Sequence, residues 1–199
     1  KISYPHVEEA YLAGLLHDVG RLALLSTAPK EYSPNFQVRD DEALCDLEQR
    51  TLNITHSEAG AWLVEHWNLD SFLADSVLYH HEPATRLEST HPLIRIVLLA
   101  HLLSCHGVDD PAVKAAARLC SIDDKDLALI NTGATSQVAL SAEYLGIDLA
   151  GFDPLSVPVA SPPEDPLRDP VRSQLTVEVR SLVLSSEAGR SLSREQGEA

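Results

Sequence analysis

Nine histidines stand in this chain of 199 residues, and five of them fall where they could meet. His17 is followed directly by Asp18, His56 stands alone, His80 and His81 are adjacent and precede Glu82, and His101 lies within an apolar run. Imidazole and carboxylate together suit a divalent transition metal, or a bridged pair of them. The chemistry of such a set is water activation. A bound cation lowers the pKa of water and holds phosphoryl oxygens for in-line attack. The bland alternative for each residue alone is a satisfied structural histidine. The succession His-Asp, then His, then His-His-Glu on consecutive helices is the more specific signal.

Such a centre needs helices to deliver it. Residues 7 to 25 read as one helix, with Leu12, Leu15, Leu16, Val19 and Leu22 at steps of three and four, and His17–Asp18 in its middle. On a continuous helix those two neighbours point about 100° apart, so both serve one metal only with ligands from other helices. Pro29 and Pro34 mark a loop, and Leu44, Leu47 and Leu52 suggest a second helix. Thr55 and Glu58 form a capping box that opens a third, through about Trp67. Asp70 or Ser71 caps a fourth, which leads to His80 and His81 before Pro83. Pro92 to Cys105 is the most apolar helix and carries His101, with proline in its first turn. Shorter helical patterns follow at about 111–120, 124–131 and 135–146. No period-two alternation between turns calls for strands, so the chain reads as all-α.

The composition bounds the partners. Apolar residues make up 44 % and aromatics 5 %, which predicts a core of Leu, Ala and Val. The formal charge of −15 repels phosphate backbones, which argues against nucleic acid. No run of about 18 apolar residues marks a membrane span, and no signal peptide is evident. Cys45, Cys105 and Cys120 are scattered, which fits a reducing cytoplasm better than a disulfide framework. The chain starts at Lys1 and contains no methionine, which reads as a fragment or a processed product.

The motifs Ala13-Gly14-Leu15-Leu16-His17-Asp18-Val19-Gly20-Arg21, Thr55-His56-Ser57-Glu58-Ala59-Gly60-Ala61-Trp62-Leu63, His80-His81-Glu82-Pro83 and Ile96-Val97-Leu98-Leu99-Ala100 resemble the HD superfamily. Within it they look most like HDOD, the HD-related output domain of bacterial signalling proteins. The resemblance spans about residues 7–150 and corresponds to the C-terminal half of such a domain. It implies an HD-like helical bundle over residues 1–150. A proline-rich linker follows at 151–170. An amphipathic helix and tail occupy 171–199, where Leu167, Val171, Leu175, Val179 and Leu182 recur at helical spacing and could connect to a further domain.

The family implies a metal-dependent phosphohydrolase ancestry and, in the HD-GYP branch, hydrolysis of cyclic di-GMP. Three departures point elsewhere. Arg21 stands where HD-GYP proteins carry Lys, no Gly-Tyr-Pro follows His80-His81-Glu82, and His101 aligns with a metal-binding Asp. The expected function is therefore a regulatory signalling domain in the cytoplasm, without catalytic residues or cofactor, that binds signalling proteins or adjacent domains of its own chain. The alternative is a metal-dependent phosphohydrolase acting on a cyclic dinucleotide or other nucleotide, using Fe, Mn, Zn or Mg. Its candidate metal ligands are His17, Asp18, His56, His80, His81 and His101, with Arg21 a candidate for ligand binding. His66, His91 and His106 read as surface residues, the Asp40-Asp41-Glu42 group as a solvated face, and Asp123-Asp124 as a helix cap.

Overall fold

The computed structural model describes residues 4–35, 38 and 41–147. The linker expected at 151–170 and the helix expected at 171–199 lie outside them. The described residues are helical and contain no strand, as an all-α, HD-like bundle requires. No helix among them is long and apolar enough to cross a membrane.

Where one helix is expected over 7–25, there are two, α1 (Val7–Leu16) and α2 (Val19–Thr27). The break falls on the His-Asp pair, with Asp18 at φ −102° and ψ 10° just before α2. A straight helix would splay these two side chains apart; the break turns both toward the same interior. A short α3 (Pro29–Tyr32) sits in the expected loop, its first turn set by Pro29. The second helix, α4, begins earlier than its leucines suggest and runs Asp41–Leu52.

Helix α5 (His56–His66) opens with both halves of the capping box made. Thr55 accepts from the Glu58 backbone N–H at 3.3 Å, and Glu58 accepts from the Thr55 N–H at 3.0 Å. Asp70 caps α6 (Ser71–Leu78) through the Phe72 N–H. Pro92 and Pro111 occupy the first turns of α7 (Pro92–Cys105) and α8 (Pro111–Leu119), where a missing N–H costs nothing.

The two short helices expected at 124–131 and 135–146 are one, α9 (Asp124–Leu145). Gly133 costs a helix interior only about 1 kcal/mol relative to alanine, too little to end it. Thr132, Thr135 and Ser136 turn their hydroxyls back to carbonyls four residues earlier instead of interrupting the helix. Gly146 ends it in the left-handed conformation at φ 70°.

Among the described residues three packing centres result, a small one around Leu24, Tyr32, Ile54 and Ala59 and two larger ones. One lies among α1, α5, α6 and α7, with Ala13, Val64, Leu73, Val77, Leu93 and Val97 buried. The other joins α7 to α8 and the start of α9 through residues such as Leu98, Val113, Ala116 and Leu127. Between α2 and α5 the backbones almost touch. A Cβ on Gly20 would stand 1.8 Å from the His56 carbonyl oxygen and 2.7 Å from the Gly60 nitrogen. That crossing fixes His56 beside the His-Asp break.

Candidate metal centre

Four elements deliver the side chains that sequence spacing singles out. His17 and Asp18 come from the α1–α2 break, and His56 from the first residue of α5. His80 and His81 occupy the turn after α6, and His101 comes from α7. All six converge. The His17 ring centre lies 5.1 Å from that of His80 and 5.3 Å from that of His101, and the His56 centre lies 4.8 Å from that of His81. His56, His80 and His101 are buried.

The ring nitrogens are sorted by their outer partners. His17 Nδ1 lies 2.7 Å from the Gly14 carbonyl, and His80 Nδ1 lies 2.6 Å from the Val77 carbonyl. A carbonyl can only accept, so each Nδ1 carries the proton. His56 Nδ1 likewise donates to the Glu48 carboxylate at 2.8 Å. In the neutral rings all three Nε2 atoms are left with bare lone pairs facing inward. This is how histidine ligands are held in metal sites, with the outer nitrogen donating to a carbonyl or carboxylate.

Asp18 sits at the focus. Its Oδ1 is 3.5 Å from His56 Nε2 and 3.5 Å from His80 Nε2. Neither that oxygen nor His80 Nε2 makes a hydrogen bond, although both atoms are buried. Unpaired buried polar atoms are costly and uncommon, so two that face each other need an explanation. A shared cation would supply one. Burial alone would raise the Asp18 carboxyl, but the contact with His80 and the surrounding His17 and His56 imidazoles hold it well below the usual range. Burial pushes His80 down to about 4 and pushes His81 down as well, which keeps both rings in the neutral form a ligand requires.

Candidate donor atoms of Asp18, His56, His80 and His81 all lie within 4.8 Å of one another, as do those of His17, His80 and His101. The residues thus fit a divalent metal by donor type, by tautomer and by the two orphaned atoms. Arg21 has a different place. Its Nη1 is 3.7 Å from Asp18 Oδ2, and it also bonds toward Tyr32, so it braces the centre's frame.

Two acidic residues of the site are not among the ligands expected from the sequence, and both come from α4. Asp41, read there as part of a solvated face, is partly buried, and its Oδ2 lies 2.9 Å from His101 Nε2. Glu48 is fully buried and accepts from the Tyr32 hydroxyl at 2.6 Å and from both the His56 N–H and Nδ1 at 2.8 Å. The available signal was spacing. Asp41, Leu44, Cys45, Glu48 and Leu52 stand at i, i+3, i+4, i+7 and i+11, which places the two acids on the face that also buries Leu44.

Of the remaining histidines, His66 stacks on Trp62 and His106 lies exposed near Asp110. His91 is a correction. It is not a solvent-facing turn residue; it caps α7 by accepting from Leu93 N–H and stacks on Phe72 at 3.9 Å. Asp123 caps α9 as expected.

Comparison with known families gives the same assignment as the motifs. The HDOD domain model matches residues 1–83. Residues 1–83 are thus similar to the HDOD family. The match lies in the N-terminal part of this chain and stops well short of residue 150, so His101 and the helices after α6 fall beyond it. His17, Asp18, Asp41, Glu48, His56, His80 and His81 all lie inside it. A protein of Treponema pallidum (strain Nichols), described as uncharacterized, is 26 % identical over 98 residues, which is 48 % of this chain and 19 % of that protein. The match therefore spans only a fifth or so of that relative. No solved structure matches. The HDOD segment suggests a signalling or regulatory role.

Proposed function

We propose that this chain is a regulatory module of bacterial intracellular signalling that works by binding other signalling proteins or adjacent domains of its own protein. The observation that carries this reading is the outer face of the HDOD segment. Val7, Tyr11 and Leu15 follow at four-residue steps along α1 and are exposed by 69 %, 74 % and 66 %, and Leu22 on α2 is exposed by 61 %. The sequence periodicity counts Leu15 and Leu22 among the apolar repeats of the helix; in the fold they point outward. Apolar side chains gathered on one exposed face mark an interaction surface.

The test is co-purification from the source organism. Full-length protein carrying Tyr11→Glu and Leu15→Glu is compared with the unaltered protein. The helical circular-dichroism spectrum is expected to stay unchanged while recovery of at least one signalling protein falls at least tenfold. Equal recovery of every co-purifying protein by both forms would sink the proposal.

A second reading is supported by the preset tautomers and by the orphaned pair Asp18 Oδ1 and His80 Nε2. Here the chain is a metal-dependent phosphohydrolase on a cyclic dinucleotide or related nucleotide, with His17, Asp18, His56, His80 and His81 holding the ion. A bound divalent metal would supply an activated water and charge neutralisation for the phosphoryl group. The residues themselves orient the ligand nitrogens, exclude bulk water from His80, and keep the Asp18 carboxylate ionised. Elemental analysis of protein purified without chelator separates this reading from a metal-free structural cluster. About one or more equivalents of metal, lost in His17→Ala/Asp18→Ala, would support it, and metal-free protein after loading with Fe, Mn and Zn would end it.

A further inference from the structure

Helix α9 is anchored at its start and bare along the rest. Leu127 packs into the apolar core, but among the described residues every position from Thr132 to Ile147 except Ala142 is exposed. The side chains left in water include Leu129, Ile130, Val138, Leu140, Tyr144 and Leu145, exposed by 44 % to 90 %. At 3.6 residues per turn all six fall on one half of the helix circumference. No charged residue stands between Leu127 and Ala142. A helix face meant for water carries charge, and Thr132, Gly133, Thr135 and Ser136 are weak helix formers that rely on packing. The face is built to be covered.

The same chain carries a second unmatched apolar face. Val171, Leu175 and Val179 recur at four-residue steps with Leu182 three further on, and Pro170 precedes them as at a helix start. These residues lie outside the described ones. As a helix, 171–182 would be about 18 Å long, against about 22 Å from Ile130 to Leu145 on α9. Gly146 closes α9 in the left-handed conformation, and the Ile147 N–H donates back to the Ala142 carbonyl at 2.8 Å, which turns the chain off the helix axis. Residues 148–170 can then span up to about 75 Å, several times what a return along α9 needs.

We infer that segment 167–182 docks as a helix on the exposed apolar face of α9 in its own chain. The inference stands apart from the histidine centre and from the α1 surface.

Charge selects this occupant over a second copy. The net charge of −15 resides entirely in residues 1–166, and residues 167–199 hold five basic and five acidic side chains. A second molecule would bring another −15 to the contact, and like charge opposes association. The segment brings Arg168, Arg172 and Arg180 against Asp169 and Glu178. Its tether also keeps it near α9 at an effective concentration on the order of millimolar. A Cβ on Gly133 would meet nothing within 4 Å, so the body of the fold does not require that glycine, whereas a helix lying close across it would.

The experiment is hydrogen exchange on the full chain, with molar mass measured by light scattering on the same samples. A monomer is expected, with the amides of 132–145 and of 171–182 both protected. In Leu175→Glu/Val179→Glu, exchange over 132–145 should quicken by about tenfold or more while α5 and α7 stay protected. The exposed pair Leu140→Glu/Tyr144→Glu should in turn quicken exchange over 171–182, a reciprocity that direct contact requires. Unchanged exchange over 132–145 in the first variant would overturn the inference, as would a segment 171–182 already unprotected in the unaltered protein. A dimer whose protection over 132–145 fades on dilution would overturn it as well, because the occupant would then be a second copy.

Discussion

The two ends of the molecule are packed by different rules. Around α2, α4 and α5 the interior contains Glu48, His56 and His80, all fully or almost fully buried, together with Tyr32. Around α8 and the start of α9 it contains Leu98, Val113, Ala116, Ala117, Ile122 and Leu127. The apolar end is held by area and shape, which tolerate substitutions of similar volume. The polar end is held by directed bonds, each of which must be made because its alternative is an unpaired buried atom. Geometry there has little slack, as the Gly20–Gly60 crossing shows. The HDOD match covers the polar end and stops before the apolar one.

The contrast can be broken most sharply at Glu48. Glu48→Ala strands three donors at once, and removing one partner from a buried charged network costs about 3–5 kcal/mol. Chemical denaturation should show a loss of that order, with much weaker metal retention. A loss below about 1 kcal/mol would mean the network is not what holds α4. Leu127→Ala is the counterpart at the apolar end. Here a cost of about 2–3 kcal/mol is expected from lost burial and cavity alone. The NMR signals of the histidine rings should not move, and a shift there would show that the two ends are coupled.

Acidity should touch the polar end alone. In metal-free protein His80 is depressed by burial to about 4, so its neutral form favours the fold above the ordinary histidine pKa of about 6.5. That contribution is lost as pH falls from about 6.5 toward 4. His101 is pulled down by burial but carried up to about 9 by its bond to Asp41, so its contribution is full below about 6.5 and is lost as pH rises toward 9. Denaturation midpoints measured from pH 4 to 9 should therefore peak near neutrality, and His101→Gln should flatten the alkaline side. An unchanged alkaline slope in that variant would contradict the assignment. The smallest effect is expected from Thr55→Ala, which removes half a capping box and should cost about 1 kcal/mol. Hydrogen exchange should then rise in the first turn of α5 and stay unchanged in α9.

What could be read from the sequence follows the same division between local and distant causes. The start of α5 at His56, the cap at Asp70 and the start of α7 at Pro92 are written in neighbouring residues, and the fold places each as expected. The meeting of His17, Asp18, His56, His80, His81 and His101 was legible because histidine on successive helices is itself an unusual pattern. The break between α1 and α2 was not, because the apolar steps run straight through it and only the interior contacts of Asp18 reveal it. Asp41 and Glu48 were hidden for another reason. An acid on a helix belongs to solvent by default, and what withdraws these two is a pair of histidines 60 and 8 residues away in sequence. Joining 124–131 to 135–146 depended on how little one glycine costs.

The closeness of Gly20 and Gly60 has a consequence for how such a domain can change over evolutionary time. The frame admits no new atom at the crossing, whereas the ligands project from it into a space several side chains share. A side chain added at the crossing must displace backbone, whereas one donor can replace another without moving the frame.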